Sequence, residues 1–371
     1  MIGIISVSDY QIGLWKDTES LLFALNDVPI KKNVFFFKRG FSATIQDINV
    51  NLLSISPSKK FKYDYIYDLN VNFKKWIRSI RLLIVCEILF YNVFDQFINQ
   101  LNGHVIYIPN MDYPSTQSFG DDINKWITKL NNLSTNNRFH IVTKTEYSNQ
   151  FIKNMGFNPL IIPWSISDEI KNSNIQQNDN IIYILSNNGI VGEEDNNHLK
   201  ETISAFNIVH SKYPNCHLII KTIDQIPNNF NINQLEMSSY TLINRYIKYN
   251  DLLYLYAKST IVCQLSKKEG FGLSLLESMH LNKFIVATDI SPMNEILREY
   301  SKSILCKPRI KTKYQLAEHG LLNEFDLAES IIKSIEIANN IDDCQSNQLI
   351  CHKRQNNFKQ KYIELVNQLL L

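Results

Sequence analysis

Residues 259–287 read STIVCQLSKKEGFGLSLLESMHLNKFIVA, and their punctuation decides the architecture. Thr260 to Leu265 is a short apolar run rich in β-branched residues, which suits a strand buried on both faces. Glu269-Gly270-Phe271-Gly272 breaks the run. Leu273, Leu275, Leu276 and Met279 then recur at helical spacing, and Phe284–Ala287 is a second short strand. Strand, glycine loop, helix and strand make one crossover of a parallel α/β sheet.

Such a crossover binds ligands beyond the carboxyl ends of its strands. The first turn of the helix offers unpaired N–H groups and partial positive charge, which suits a phosphate. Gly270 and Gly272 have no Cβ and let the backbone approach a ligand closely. Glu269 sits in the loop. Glu277 lies more than one turn into the helix and projects back toward its start. Two carboxylates around a phosphate-accepting helix start fit a molecule with phosphates in its middle and hydroxyls at both ends, the layout of a nucleotide sugar.

Glu269 to Glu277, continued by Ser278-Met279, Leu281-Asn282-Lys283, Thr288-Asp289 and Glu295, resembles the Glu-x7-Glu signature of retaining glycosyltransferases of family 4. The resemblance implies the GT-B fold: two Rossmann-like doubly wound α/β domains facing a cleft, with a C-terminal helix crossing back. It implies a hydroxyl-binding, catalytic role for Glu269, pyrophosphate and sugar contacts for Gly270, Phe271, Gly272 and Leu273, and ribose contact for Glu277. It also implies transfer, without a metal or other cofactor, from a nucleotide-diphosphate sugar to a glycan, lipid-linked or protein acceptor. A sugar-nucleotide epimerase on the same fold and a non-catalytic nucleotide-sugar or glycan-binding module are the alternatives.

Members of this family place a basic pair in the first loop of the second domain. Here that loop, 187–197, has no basic residue and three acids. Lys221 and Arg245, each following a strand, are the substitutes expected at the phosphates. On the acceptor side the candidates are Asp9 in the first loop, and Asn110 and Asp112 in the turn Pro109-Asn110-Met111-Asp112.

The rest of the chain frames this reading. A length of 371 residues is comfortable for two domains. The expected division is 1–167 on the acceptor side, 168–349 on the donor side and 350–371 as a terminal helix, with 168–180 as linker. A formal net charge of +2 gives no reason to expect a nucleic-acid partner. Six scattered cysteines without a Cys-x-x-Cys pair read as reduced core residues. The chain opens directly into an apolar strand, and its most apolar window, 82–94, is interrupted by Glu87 and Asn92. A cytoplasmic protein is expected, with peripheral membrane contact left open. Asp17 or Thr18 is expected to cap a helix ending near Asn26. His104, His140 and His280 are expected to be structural.

Overall fold

The computed structural model describes residues 1–6, 13–36, 51–55, 66–68, 77–87, 101–109, 123–166, 180–189, 195–223, 225–227, 230–314, 317–338 and 344–370. The chain divides into two compact units, Met1–Ser167 with Arg354–Leu371, and Asp168–Lys353. Asp9, Asn110, Asp112 and most of the expected linker lie outside the described residues.

The first unit runs β1 (Ile2–Ser6), α1 (Gly13–Ala24), β2 (Lys32–Phe36), β3 (Asn51–Ile55), β4 (Ile66–Asp68), β5 (Leu82–Glu87), β6 (His104–Pro109), α2 (Ile123–Ser134), β7 (Phe139–Thr143), α3 (Glu146–Asn154) and β8 (Leu160–Ile161). Its sheet has the order β4-β3-β2-β1-β5-β6-β7-β8. From β2 to β8 the strands are parallel, whereas β3 and β4 run antiparallel at one edge. The expected first domain lacked this antiparallel edge, and a reversed strand needs no helical crossover.

Asp17 corrects a second expectation. It lies inside α1 and does not cap it. Its carboxylate pairs with Lys144 at 2.6 Å, and both side chains are buried. The Lys144 ammonium also sits 4.7 Å from the ring centre of Trp164. Trp164 packs against Phe358 and Tyr362, at ring distances of 5.0 and 5.9 Å.

The second unit runs β9 (Ile182–Gly189), α4 (Leu199–Lys212), β10 (Cys216–Thr222), β11 (Tyr240–Asn244), α5 (Tyr249–Lys258), β12 (Ile261–Gln264), α6 (Leu273–His280), β13 (Phe284–Thr288), α7 (Met293–Ile296), β14 (Ser303–Cys306), β15 (Ile310–Tyr314), β16 (Ala317–Leu321) and α8 (Glu324–Ala338). Its six-stranded sheet is parallel throughout, in the order β11-β10-β9-β12-β13-β14. The direction of winding reverses between β9 and β12, which makes their carboxyl ends the ligand position of an open α/β sheet.

Period-two alternation sorts this sheet's side chains onto two faces. Ile184, Leu218, Ile220, Ile261 and Val286 pack with Phe206 of α4 and Ile331 of α8. Leu185, Ile219 and Val262 pack with Tyr256 of α5 and with Leu281. Helix α6 buries Leu275, Leu276 and Met279, each contributing about 1.5–3 kcal/mol.

The last helix, α9 (Cys344–Leu370), starts before its expected position because polar residues 345–348 continue the helix. Asn347 there is buried and accepts from the backbone and hydroxyl of Ser301. Farther along, Arg354 and Gln355 donate to the carbonyls of Trp164 and Ile166 in the first unit.

Candidate functional site

Three adjacent strands deliver polar residues to one row at the carboxyl edge of the second sheet. Lys221 is opposite Asn187 in the β10–β9 register. Ser186 is opposite Cys263, so Asn187 and Gln264 follow side by side. Each lies two positions after a residue of the face covered by α5, namely Ile219, Leu185 and Val262. Alternation therefore puts Lys221, Asn187 and Gln264 on that face.

Lys221 is only 6% exposed, and among the described residues its ammonium has no hydrogen-bond or ion-pair partner. Burial alone lowers its pKa below the usual lysine value. A buried cation without a counter-charge is costly, and an anionic ligand relieves that cost. Asn187 Oδ1 and Gln264 Oε1 are buried acceptors that also lack partners. Arg245 is exposed just beyond β11, with its backbone N–H bonded to Thr222 O at 3.1 Å.

The motif forms the loop and helix that the sequence predicts. Gly272 is the N-cap of α6 in the left-handed region, at φ 93°, and no side chain caps this helix. The left-handed backbone angle favours glycine at 272, and a Cβ there would lie 3.0 Å from Leu275 Cδ1, which would have to give way slightly. Phe271 is buried, whereas Gly270 and Leu273 are partly exposed. Helix α4 contrasts with α6. Asp195 accepts from the backbone N–H groups of Leu199 and Lys200, at 2.8 and 3.1 Å, and so occupies its start. One of the three loop acids is thus a helix cap, and its charge is matched to the helix dipole.

Glu269 is fixed from several sides. Ser266 Oγ donates to Glu269 Oε2 at 3.0 Å, and Gln264 Nε2 donates to Ser266 Oγ at 3.1 Å. The loop backbone is tied by Lys267 N–H to Asn196 O at 2.7 Å and by Gly320 N–H to Lys267 O at 2.9 Å. Gly320 belongs to the β15–β16 hairpin, where a Cβ would lie 2.8 Å from Ile290 Cγ2. This hairpin has no counterpart in the sequence reading, since Ile310–Tyr314 and Ala317–Leu321 hold too few strongly apolar residues to read as strands.

His198 completes the anchoring. Its Nε2 accepts from Leu322 N–H at 3.0 Å, so the proton is on Nδ1, which donates to Leu265 O at 2.6 Å. Burial, the largest influence, lowers its pKa to about 4. The sequence reading missed His198 because both partners are remote in the chain. His104 and His140 instead pair with each other at 3.0 Å in the first unit, and His280 Nδ1 donates to Leu276 O at the end of α6.

Glu277 is 6% exposed. Tyr249 donates to its Oε1 at 2.9 Å. Complete burial, with the charge of the Glu277 carboxylate nearby, raises the Tyr256 phenol pKa well above its ordinary value. Asn187 Nδ2 donates to the Tyr256 hydroxyl at 2.9 Å. A carboxylate has about four lone-pair positions, so Tyr249 leaves room for further donors.

Among the described residues, no group of three or more His, Cys, Asp or Glu stands together to hold a metal. No described helix is long and apolar enough to cross a membrane. Cys86, Cys216, Cys263, Cys306 and Cys351 are buried and free.

Residues 167–335 match the family of glycosyl transferases group 1. No curated protein matches the chain in sequence. In structure the chain is similar to a sucrose-phosphate synthase from Thermosynechococcus elongatus, at 12% identity and a TM-score of 0.63, over 99% of this chain and 98% of that one. It is similar to a trehalose-6-phosphate synthase at 11% identity and a TM-score of 0.62, over 99% of both chains. The pneumococcal O-GlcNAc transferase in complex with UDP and GlcNAc is 14% identical with a TM-score of 0.54, over 86% of this chain and 65% of that one. The chain has the GT-B fold.

Proposed function

We propose that the chain is a retaining, metal-independent glycosyltransferase of the family 4 type, acting on a nucleotide-diphosphate sugar. The observation that carries this reading is the buried ammonium of Lys221, without a partner among the described residues, on the sheet face shared with the start of α6 and its Glu-x7-Glu carboxylates. Two sources of positive charge at one sheet edge suit a diphosphate, and the pneumococcal neighbour was solved with UDP.

In this reading Lys221 and the N–H groups of Gly272 and Leu273 hold the diphosphate. Arg245 reaches it from the exposed end of β11. Glu269 accepts hydroxyls of the donor sugar, and Glu277 accepts those of the ribose. The bond from the anomeric carbon to the leaving phosphate oxygen breaks through an oxocarbenium-like state. Negative charge grows on that oxygen, where preorganised donors lower the barrier. The phosphate oxygen then takes the proton of the acceptor hydroxyl as the new glycosidic bond forms on the same face. No protein nucleophile is needed. Lys221 and the helix start supply the charge that a divalent cation supplies in other phosphate sites.

The acceptor is a glycan, lipid-linked or protein hydroxyl, and the reaction belongs to glycan assembly in the cytoplasm. The test is release of nucleoside diphosphate from UDP-, GDP- and ADP-sugars, with Glu269→Gln alongside. Release by the native chain, reduced roughly 100- to 1000-fold in the variant, supports the proposal. Equal release by both proteins sinks the assignment of Glu269.

A further inference from the structure

We infer that Ser266 is a positioning residue that aims Glu269 at the sugar of the donor, and that its hydroxyl serves the transfer step and not nucleotide binding. This inference rests on the reading that the second unit binds a nucleotide-diphosphate sugar with Glu269 at the sugar.

Glu269 lies in the loop between β12 and α6 and is partly exposed. Its side chain has three rotatable bonds, and aiming it at one hydroxyl costs rotamer freedom. A donor that fixes the carboxylate before the ligand arrives removes part of that cost. Ser266 is such a donor, with its Oγ 3.0 Å from Glu269 Oε2. The Phe271 N–H meets Oε1 at 3.5 Å, longer than an ordinary N–H···O bond. Of these two contacts, the short one sets the direction of the carboxylate.

The Ser266 proton has two acceptors within reach, and geometry decides between them. Gln264 Nε2 donates to Ser266 Oγ at 3.1 Å and occupies a lone pair. From Oγ, Glu269 Oε2 is 3.0 Å away and Asn197 Oδ1 is 3.4 Å away. A hydroxyl has one proton, and the nearer acceptor, a carboxylate oxygen, takes it. The hydroxyl itself is held in place through its chain neighbours. Leu265 O accepts from His198 Nδ1 at 2.6 Å. Lys267 N–H donates to Asn196 O at 2.7 Å, and Lys267 O accepts from Gly320 N–H at 2.9 Å. Ser266 is thus clamped on both sides, and both it and Gln264 are buried from water.

Two measurements separate aiming from loop building. Calorimetry with UDP, GDP and ADP reads nucleotide affinity. Release of nucleoside diphosphate from the matching sugar nucleotides reads transfer. Ser266→Ala is expected to bind the nucleotide within about twofold of the native chain and to release it roughly 10- to 100-fold more slowly, the worth of one hydrogen bond to a charged group. Ser266→Thr keeps the hydroxyl and is expected to retain most of the rate. In a Glu269→Ala background, Ser266→Ala is expected to cost less than about twofold further, since no carboxylate remains to be aimed. A fall in nucleotide affinity that matches the fall in rate makes Ser266 a strut of the loop and overturns the inference. An unchanged rate in Ser266→Ala, or an equal penalty with and without Glu269, overturns it as well. So does a Ser266→Thr variant as slow as Ser266→Ala. A native chain that releases no nucleoside diphosphate from any of these sugar nucleotides overturns it together with the transferase reading.

Discussion

Lys221 and Asn187 stand opposite each other on β10 and β9, yet no hydrogen bond joins the ammonium to the buried, unpartnered Asn187 Oδ1. Among the described residues neither group meets a compensating partner, which carries a cost expected of a binding site and not of a packed core.

Lys221→Met exchanges that cation for an apolar side chain of similar length. Thermal unfolding without ligand is expected to show equal or greater stability than the native chain, since an uncompensated buried charge is removed. Sugar transfer is expected to fall roughly 100- to 1000-fold. A variant that is clearly less stable and still active contradicts the phosphate role.

The same lysine makes binding depend on pH. Burial lowers its pKa from 10.5, and a bound diphosphate raises it again. Binding therefore takes up a proton in the alkaline range, and affinity falls as pH rises through the lowered value. Lys221→Arg stays charged there and removes the dependence. Calorimetry in two buffers of different ionisation enthalpy reads the uptake directly.

His198 sets an acid limit on the loop that carries Glu269. Its folded pKa is about 4 against 6.5 in an exposed histidine. Between those values the unfolded chain binds the extra proton, so stability is full above about pH 6.5 and declines toward pH 4. The loss amounts to about 3 kcal/mol. Denaturant titrations across that range check the slope, and His198→Gln is expected to flatten it.

Gly272→Ala forces a side chain into the left-handed region and against Leu275. The expected cost is about 1–2 kcal/mol, with a larger loss of nucleotide affinity because the start of α6 shifts. Comparing the drop in Tm with the change in Kd separates the two effects.

In the first unit, Asp17→Ala removes the carboxylate paired with the buried Lys144, which costs up to about 3–5 kcal/mol. The double variant Asp17→Ala, Lys144→Met is expected to recover much of the loss. A double-mutant cycle measures the coupling.

The sequence made the second unit legible where local chemistry speaks for itself. The apolar run 260–265, the glycines at 270 and 272 and the helical spacing of Leu273 to Met279 each signal their own geometry. Lys221 was legible as a cation after a strand, though its burial and lack of partners were not. The hydrogen bonds from Asn187 to Tyr256 and from Tyr249 to Glu277 join residues 69 and 28 positions apart, and only the packing of α5 brings them together. Asp17 followed a cap pattern, but its long-range ion pair overrides that local preference. The β15–β16 hairpin stayed hidden because Ile310–Tyr314 and Ala317–Leu321 hold few strongly apolar residues.

The most direct test of the account is thermal unfolding of the native chain with UDP, GDP and ADP, beside Lys221→Met and Glu277→Ala. The account predicts that one of the nucleotides stabilises the native chain, by about 2.7 kcal/mol at 100 times its dissociation constant, and that both variants lose most of that gain at the same concentration. A native chain that none of the three stabilises, or stabilisation that survives in both variants, contradicts it.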